Sequence, residues 1–335
     1  MVIGWYVHHH GYGHVARFLA VHPHLRAPVV AFSSMPRPAG LAPDVEWVEL
    51  PPDADPFDGP DGSTVDPRDA DPTARGALHW APHAHPGHRA RLAAIAAAAV
   101  QRELQAFVVD VSAEVVAFVR LLGLRTIAVT QPGTRTDAPH ALAYDLADRI
   151  VAPWPHGAVP TDGLAAHGDR VVWTGGISRF DGRDAAGEAE TRSVLLLGRV
   201  LEPAIRLEAT RRLQGRGWLV TAIGHDASSR IEDPWPLLAR STVVVSAAGQ
   251  NSVADLAVAG ARAVVIAQER PFAEQEHTAD AIERWRLARR ADASVSAAAL
   301  VDLVERAAGD EPDWKRWQVA GAAHRMASAV EAVLP

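Results

Sequence analysis

The second half of the chain contains a tight loop followed by the pattern of a helix start. An apolar strand pattern that ends at Ser246 leads into the loop of residues 247–250. Asn251 is a good N-cap residue, and Ser252 is predicted to open the helix. The unpaired backbone N–H groups of a helix start bind anions, so this one can hold a diphosphate without a lysine. The residues that would present these groups are Gly249, Gln250, Asn251 and Ser252.

Two further groups of polar side chains follow this loop. Asp255 comes three residues after Ser252, so its carboxylate can accept hydrogen bonds from ribose hydroxyls at the same end of the helix. The alternative is an aspartate that only complements the helix dipole. After the apolar run at 263–267, the charged and amide groups of residues 268–275 suit the hydroxyls of a sugar, and Arg270 can meet a phosphate. The alternative there is a solvated loop and helix start.

A glycine-rich turn lies between an apolar run and a helical pattern near the N-terminus. Gly11, Gly13 and Ala16 fit the pattern G-x-G-x-x-A, in which the glycines permit a tight turn and the helix start faces a ligand. The same pattern binds NAD when an acid follows about 20 residues later, at the end of the second strand. Here the second predicted strand, residues 28–32, runs into Ser-Ser-Met-Pro without an acid, so NAD binding is a minor interpretation.

Two residues are candidates for proton transfer. His14 follows the glycine turn, where its imidazole can point into a crevice and take a proton from a hydroxyl; the alternative is a structural, hydrogen-bonded histidine. Asp110 ends a predicted strand at residues 106–111, and it can either orient His14 or act as the base itself.

Other polar residues of the first half follow predicted strands or lie in a long loop. Arg135 and His140 follow the predicted strand at 126–130 and can bind an acceptor molecule, although a structural turn is an equal interpretation. His79, His83 and His85 lie in a Pro-rich stretch at 51–86, and His88 follows it. For this stretch we predict a mobile loop beside the acceptor rather than a metal site formed by these histidines.

The elements that must position these residues alternate between strand and helix patterns. Short apolar runs separated by helical segments predict parallel sheets with crossover helices, and the pattern restarts after a stretch rich in Pro and Gly. Ligands of such sheets bind at the carboxyl ends of the strands. We predict a Rossmann-like domain at 1–155, a linker at 156–190, a second domain at 191–312 and a C-terminal helical segment at 313–335 that crosses back to the first domain.

The composition narrows the function classes. The chain has 335 residues and a net charge of −7, and this negative charge argues against a nucleic-acid-binding protein. It has no cysteine, which excludes disulfides and cysteine-based zinc sites. We see no signal peptide and no stretch that approaches a membrane span, so the expected compartment is the cytoplasm. Membrane association is possible but not indicated.

The order of these motifs resembles the GT-B glycosyltransferases. The resemblance rests on the Gly11–His14 loop, the linker, the helix start at Gly249–Asp255 and the Glu274-Gln275 loop, and it covers most of the chain. The branch that includes the bacterial lipid-linked peptidoglycan N-acetylglucosaminyltransferase is the most similar one. The resemblance implies an α/β fold of two Rossmann-like domains that face a cleft.

The resemblance also implies roles for individual residues. His14 falls where several members have their proposed base, and Asp255 falls where the family usually has a ribose-binding Glu. Ile231 falls where the backbone usually reads the nucleobase, and Glu274 and Gln275 fall near the pair that holds the donor sugar.

The sequence departs from the pattern of this family in three places. Leu197-Gly198-Arg199 replaces a Gly-rich loop, Asp255 is one methylene shorter than Glu, and a shifted alignment would give His277 the role of Gln275.

The expected function is transfer of a sugar from a nucleotide-diphosphate donor, most often a UDP-sugar, to a hydroxyl acceptor. The resemblance implies an inverting displacement without a metal or other cofactor. The acceptor, whether a small molecule, a glycan or a lipid-linked group, does not follow from the sequence. The alternatives are a nucleotide-sugar epimerase on the same scaffold and a non-catalytic nucleotide-sugar binding protein.

Overall fold

The computed structural model describes residues 1–184 and 190–334, which form two α/β units. The strands of the first unit are β1 (Val2–Val7), β2 (Val29–Ser33), β3 (Glu46–Glu49), β4 (Phe57–Asp58), β5 (Thr64–Val65), β6 (Leu104–Asp110), β7 (Arg125–Val129), β8 (Arg149–Ala152) and β9 (Val171–Trp173). Those of the second unit are β10 (Ser193–Leu197), β11 (Leu219–Ile223), β12 (Val243–Ala247), β13 (Ala263–Ala267) and β14 (Arg289–Asp292).

The helices follow the strands in alternation. In chain order they are α1 (Tyr12–Val21), α2 (Pro86–Gln101), α3 (Ala113–Leu121), α4 (Ala138–Leu146), α5 (Pro203–Gly215), α6 (Trp235–Arg240), α7 (Gln250–Ala259), α8 (Glu274–Arg284), α9 (Ala297–Ala307) and α10 (Ala322–Glu331). Short 3₁₀ turns lie at His22–His24, Pro67–Asp69, Ala74–Gly76, Ala165–Arg170, Pro271–Ala273 and Trp314–Trp317. No helix in the described part of the chain has both the length and the apolar character that crossing a bilayer requires.

Each unit is built on a parallel sheet. The first sheet has the strand order β3-β2-β1-β6-β7-β8-β9 and the second β11-β10-β12-β13-β14, while β4 and β5 form a small antiparallel hairpin. The central strands are largely apolar because helices cover both faces of the sheet: β13 is apolar along its whole length, and β6 is apolar except for Gln105 and the terminal Asp110. The expected α/β architecture of two parallel-sheet domains is confirmed.

The last helix packs on the first unit. Met326 and Val330 of α10 lie in one apolar cluster with Val15 and Phe18 of α1. Arg26 donates hydrogen bonds from its backbone and guanidinium to Glu331 at the end of α10. The chain therefore returns to the sheet on which it began.

The structure differs from the sequence-based expectations in three places. Part of the predicted linker is β9, which pairs with β8 and extends the first sheet. The helical segment predicted at 313–335 is broken, because Gln318 and Gly321 adopt left-handed backbone angles with φ of 55° and 72°. The long loop at 51–86 is tied to the first unit, since Trp80 Nε1 donates to the Asp53 carbonyl at 3.1 Å.

Candidate functional site

A large cavity lies between the two units, where the loops after the strands of both sheets meet. Its volume is about 730 Å³, enough for a nucleotide sugar. The expected residues that line it are Gly11, Gly13, His14, Arg135, His140, Gly249, Gln250, Asn251, Ser252, Arg270, Glu274 and Gln275.

His14 and Asp110 form a hydrogen-bonded pair at the floor of the first unit. They follow the neighbouring strands β1 and β6, so the sheet brings together residues that lie 96 positions apart. His14 Nδ1 and Asp110 Oδ1 are 3.0 Å apart, and the Asp110 side chain is fully buried. Burial opposes its ionisation, but the charges of Arg17 and His14 hold the pKa of Asp110 below its ordinary value.

This contact selects the nitrogen of His14 that can act as a base. An ionised carboxylate only accepts hydrogen bonds, so His14 Nδ1 carries the proton and donates it to Asp110. Nε2 is then the nitrogen that can accept a proton from a hydroxyl group in the cavity. The pair can serve as an oriented general base.

Arg17 extends this pair across the cleft, and sequence reasoning missed it. It lies one helical turn after His14 on α1, and its Nη1 donates to Asp110 Oδ1 at 2.6 Å. Its Nη2 donates to Gln250 Oε1 of the second unit at 2.8 Å. The spacing of three residues from His14 was the available signal, because it places both side chains on one helix face.

The start of α7 faces the same cavity from the second unit. Its N-cap residue is Gly249 and not the predicted Asn251, because the helix begins two residues earlier, at Gln250; Gln250, Asn251 and Ser252 form its first turn. Asn251 Nδ2 donates to the carbonyl of Gly13 at 2.8 Å, so the glycine turn of α1 touches the helix start directly. The first-turn N–H groups of a helix are the kind of site that binds a diphosphate.

The segment before α8 forms another wall and contains unusual backbone. Phe272 and Ala273 are consecutive non-glycine residues in the left-handed region, with φ of 63° and 55°. Such backbone costs free energy and clusters at ligand sites. It is followed by Glu274, whose pKa is raised by burial against the lowering effect of nearby arginines, and by Gln275, whose Oε1 accepts from Gln268 N at 3.0 Å.

The wall opposite belongs to the first unit. The guanidinium of Arg135 lies 4.9 Å from the centre of the Phe272 ring, and Thr134 N donates to the Phe272 carbonyl at 2.9 Å. Gly133 has a φ of 111°, and a Cβ there would come within 2.2 Å of that carbonyl. Only glycine allows the two units to approach this closely at this point.

A group of three side chains beside Arg135 has the composition of a metal site. Among residues 1–184 and 190–334, His79, Asp137 and His140 are the group whose candidate ligand atoms lie within 4.8 Å of one another. However, Arg135 Nη1 lies 3.0 Å from His140 Nε2, and a guanidinium only donates. His140 therefore carries its proton on Nδ1, which faces Asp137, so this nitrogen has no lone pair for a metal.

The other histidines of the long loop lie apart from this group. His83 is exposed, His85 caps α2 and His88 lies near Asp53. The arrangement around Asp137 is better described as a hydrogen-bonded network of the first unit, in which His79 Nε2 and Asp137 Oδ2 are 2.6 Å apart.

Comparisons with known proteins were made for sequence and for structure. No family model and no curated protein matches the sequence. The glycotransferase of kitacinnamycin is similar in structure with a TM-score of 0.67 at 17% identity, covering 100% of this chain and 99% of that one. MurG of Acinetobacter baumannii has a TM-score of 0.62 at 15% identity, covering 99% of both chains.

A third similar structure comes from a plant. A UDP-glucosyltransferase from Polygonum tinctorium has a TM-score of 0.64 at 14% identity and covers 100% of this chain and 94% of its own. The protein has the GT-B fold. The fold that the motif order predicts is confirmed over the whole chain.

Two residues with expected roles in this GT-B fold lie outside the cavity. Asp255 accepts a hydrogen bond from Ser178 Oγ at 2.5 Å, and burial raises its pKa to about 6. Ile231 is 41% exposed on the loop after β11. Of the two alternatives for the donor sugar, Gln275 lines the cavity and His277 does not.

Three buried tryptophans have structural contacts. Trp235 packs against Phe180, and its Nε1 donates to the carbonyl of Asp184 at 3.2 Å. Trp314 and Trp317 are buried too, and Trp314 Nε1 donates to the Ala261 carbonyl at 2.8 Å.

Proposed function

We propose that this protein is a glycosyltransferase that moves a sugar from a nucleotide-diphosphate donor to a hydroxyl group of an acceptor. The observation that carries the proposal is the meeting of a base and an anion site in one cavity. The His14–Asp110 pair faces it from the first unit, and the helix start at Gly249–Ser252 faces it from the second. The GT-B fold supports the same conclusion.

The proposed reaction is a single in-line displacement with inversion at the anomeric carbon. The acceptor oxygen forms a bond to that carbon while its proton passes to His14 Nε2. The bond from the anomeric carbon to the diphosphate oxygen breaks, and the electron pair stays on the diphosphate. The N–H groups of the α7 start stabilise the charge that develops there.

We propose that the donor is a UDP-sugar and that no metal takes part. The UDP-glucosyltransferase among the similar structures supports the choice of UDP. Arg17 and Arg270 line the cavity beside the α7 start, so cationic side chains are available to balance a diphosphate. Glu274 and Gln275, which line the cavity, would bind the hydroxyls of the sugar, whereas Asp255 and Ile231 lie outside the cavity and have no role in this proposal.

The acceptor side is formed by the first unit. Gly11 and Gly13 shape the turn beside His14, and Arg135 and His140 lie across the cavity from it. We propose that an acceptor hydroxyl enters between these residues and reaches His14. The class of acceptor is a small molecule, a glycan or a lipid-linked group.

The test is release of nucleoside diphosphate from nucleotide sugars in the presence of a panel of hydroxyl acceptors. We expect His14→Ala to lower turnover by roughly 10²–10⁴-fold while UDP affinity stays within about twofold. His24→Ala is the matched control, since this exposed histidine follows the same helix outside the cavity. Full turnover in His14→Ala would refute the role of the base, and a sugar that isomerises without acceptor would indicate an epimerase.

A further inference from the structure

The side-chain amide of Gln250 has a fixed orientation at the edge of the cavity. Its Oε1 accepts from Arg17 Nη2 at 2.8 Å. Because a guanidinium has donors only, the oxygen of the amide must face Arg17 and the NH₂ group must face the other way. Arg17 thus determines which end of the Gln250 amide is left to bond another group.

The NH₂ group of Gln250 lacks an acceptor among the described residues. The residue is only 9% exposed, it lines the cavity, and its Nε2 is buried without a hydrogen-bond partner. Buried donors are nearly always paired, so an unpaired one at a cavity wall indicates an acceptor that arrives with a ligand. The backbone N–H of the same residue belongs to the first turn of α7.

We propose that Gln250 Nε2 donates a hydrogen bond to a diphosphate oxygen of the donor, and that Arg17 is the positioning residue that holds the amide for it. The proposal rests on the proposed function. The acceptor class follows from the site, because the neighbouring donors are the first-turn N–H groups that bind anionic oxygens. The ligand atom is an oxygen of the nucleoside diphosphate.

The other terminal nitrogen of the Arg17 guanidinium connects the Gln250 contact to the base. Its Nη1 donates to Asp110 Oδ1, the same oxygen that accepts from His14 Nδ1. One guanidinium therefore joins the leaving-group site of the second unit to the base of the first. Loss of Arg17 should affect both diphosphate affinity, through Gln250, and turnover, through Asp110.

The first test measures UDP and uridine affinity by calorimetry for the full chain and for Gln250→Glu. Glutamate keeps an oxygen for Arg17 but replaces the NH₂ group with a second oxygen. We expect UDP affinity to fall at least tenfold, the factor for one hydrogen bond to a charged oxygen, while uridine affinity is unchanged. Unchanged UDP affinity in Gln250→Glu would overturn the contact.

The second test is a double-mutant cycle between Arg17→Lys and Gln250→Ala. Lysine keeps the positive charge beside Asp110, but its single ammonium cannot span both partners. We expect each single variant to weaken UDP binding about tenfold and the double variant to be no more than about twofold weaker than Gln250→Ala. Losses that multiply to about a hundredfold would show that Arg17 does not act through Gln250.

Arg91→Lys is the matched control for loss of a buried guanidinium. The side chains of Arg91 and Arg17 are both 3% exposed, and Arg91 pairs with Asp53, neither of which lines the cavity. We expect this variant to keep wild-type UDP affinity. If the unmodified protein transfers sugar and binds UDP but Gln250→Glu binds it equally well, only this inference fails; if the unmodified protein binds no nucleoside diphosphate, the proposed function fails with it.

Discussion

Replacing Asp110 with Asn tests the role of the negative charge that binds both His14 and Arg17. The Asp110 side chain is fully buried, and its Oδ1 accepts from both His14 and Arg17. Asparagine has nearly the same shape and keeps an acceptor oxygen, so the main loss is the negative charge. Arg17, whose side chain is 3% exposed, would then be a buried cation without a counter-charge.

The expected cost follows from this geometry. Breaking a buried ion pair from one side costs about 3–5 kcal/mol, and we take the lower end because Arg17 borders the cavity and keeps its bond to Gln250. For a unit of this size a loss of about 3 kcal/mol lowers the melting temperature by roughly 6–12 °C. Turnover should fall as well, because the negative charge that would stabilise the imidazolium formed at His14 during transfer is lost.

The pH dependence has a definite sign. The pKa of Asp110 in the folded protein is below its ordinary value of 3.8, so its stabilising effect is complete above about pH 4. As the pH falls through the folded-state pKa, this contribution is lost, and the difference between the wild type and Asp110→Asn should shrink.

Differential scanning calorimetry of the wild type and variants checks this account. The control is Glu46→Gln, which breaks the exposed pair with Arg102 in the same sheet and should shift the melting temperature by less than about 2 °C. The double variant Asp110→Asn with Arg17→Met removes the stranded cation and should recover at least half of the loss. A shift in Asp110→Asn no larger than that of Glu46→Gln would refute the reasoning.

Four further outcomes follow from the site. Asn251→Ala removes the bond to Gly13 and should weaken UDP binding by about tenfold in calorimetry, and equal affinity would contradict its place in the donor site. Asp255 has a folded-state pKa of about 6, above its ordinary 3.8, so it stabilises the fold below about pH 4 and loses this effect as the pH rises through 6. Between pH 4 and pH 8, the free energy of unfolding of Asp255→Asn, measured by thermal unfolding, should therefore rise by up to about 3 kcal/mol relative to that of the wild type. A difference that stays constant with pH would contradict this. Ala273→Gly relieves a left-handed backbone and should not lower the melting temperature, whereas Ala299→Gly inside α9 should cost about 1 kcal/mol. Transfer activity should survive chelation by EDTA, and activity restored only by added metal would contradict the proposed mechanism.

The strands that are buried on both faces could be predicted from the sequence. The run Ala263–Ala267 is wholly apolar, and Val243–Ala247 is apolar except for Ser246, because helices cover both strands. This pattern can be recognised without the structure. Strand β14 (Arg289–Asp292) has the sequence RRAD and lies at a sheet edge, where polar side chains reach solvent. β14 has no apolar run, which is why it was missed. β9 (Val171–Trp173) is apolar, but it has only three residues and lies in the stretch that was assigned to the linker.

Part of the site also followed from the chain order. His14 and Asp110 come after strands that parallel topology places side by side, so their pairing was one of the two roles considered for Asp110. Arg17 was missed because an arginine on a helix is ordinarily solvent-exposed. The left-handed backbone at Phe272 was also beyond sequence reasoning, since it is imposed by the contact between the two units and not by the residue type.

The most direct test of the central claim is a calorimetric titration with UDP, GDP, TDP and NAD in buffer without metal. The account predicts that UDP binds and that binding is weakened in Asn251→Ala, because the diphosphate site is the start of α7. Binding of NAD alone would contradict the glycosyltransferase proposal and would favour the dinucleotide interpretation of the Gly11–Ala16 turn.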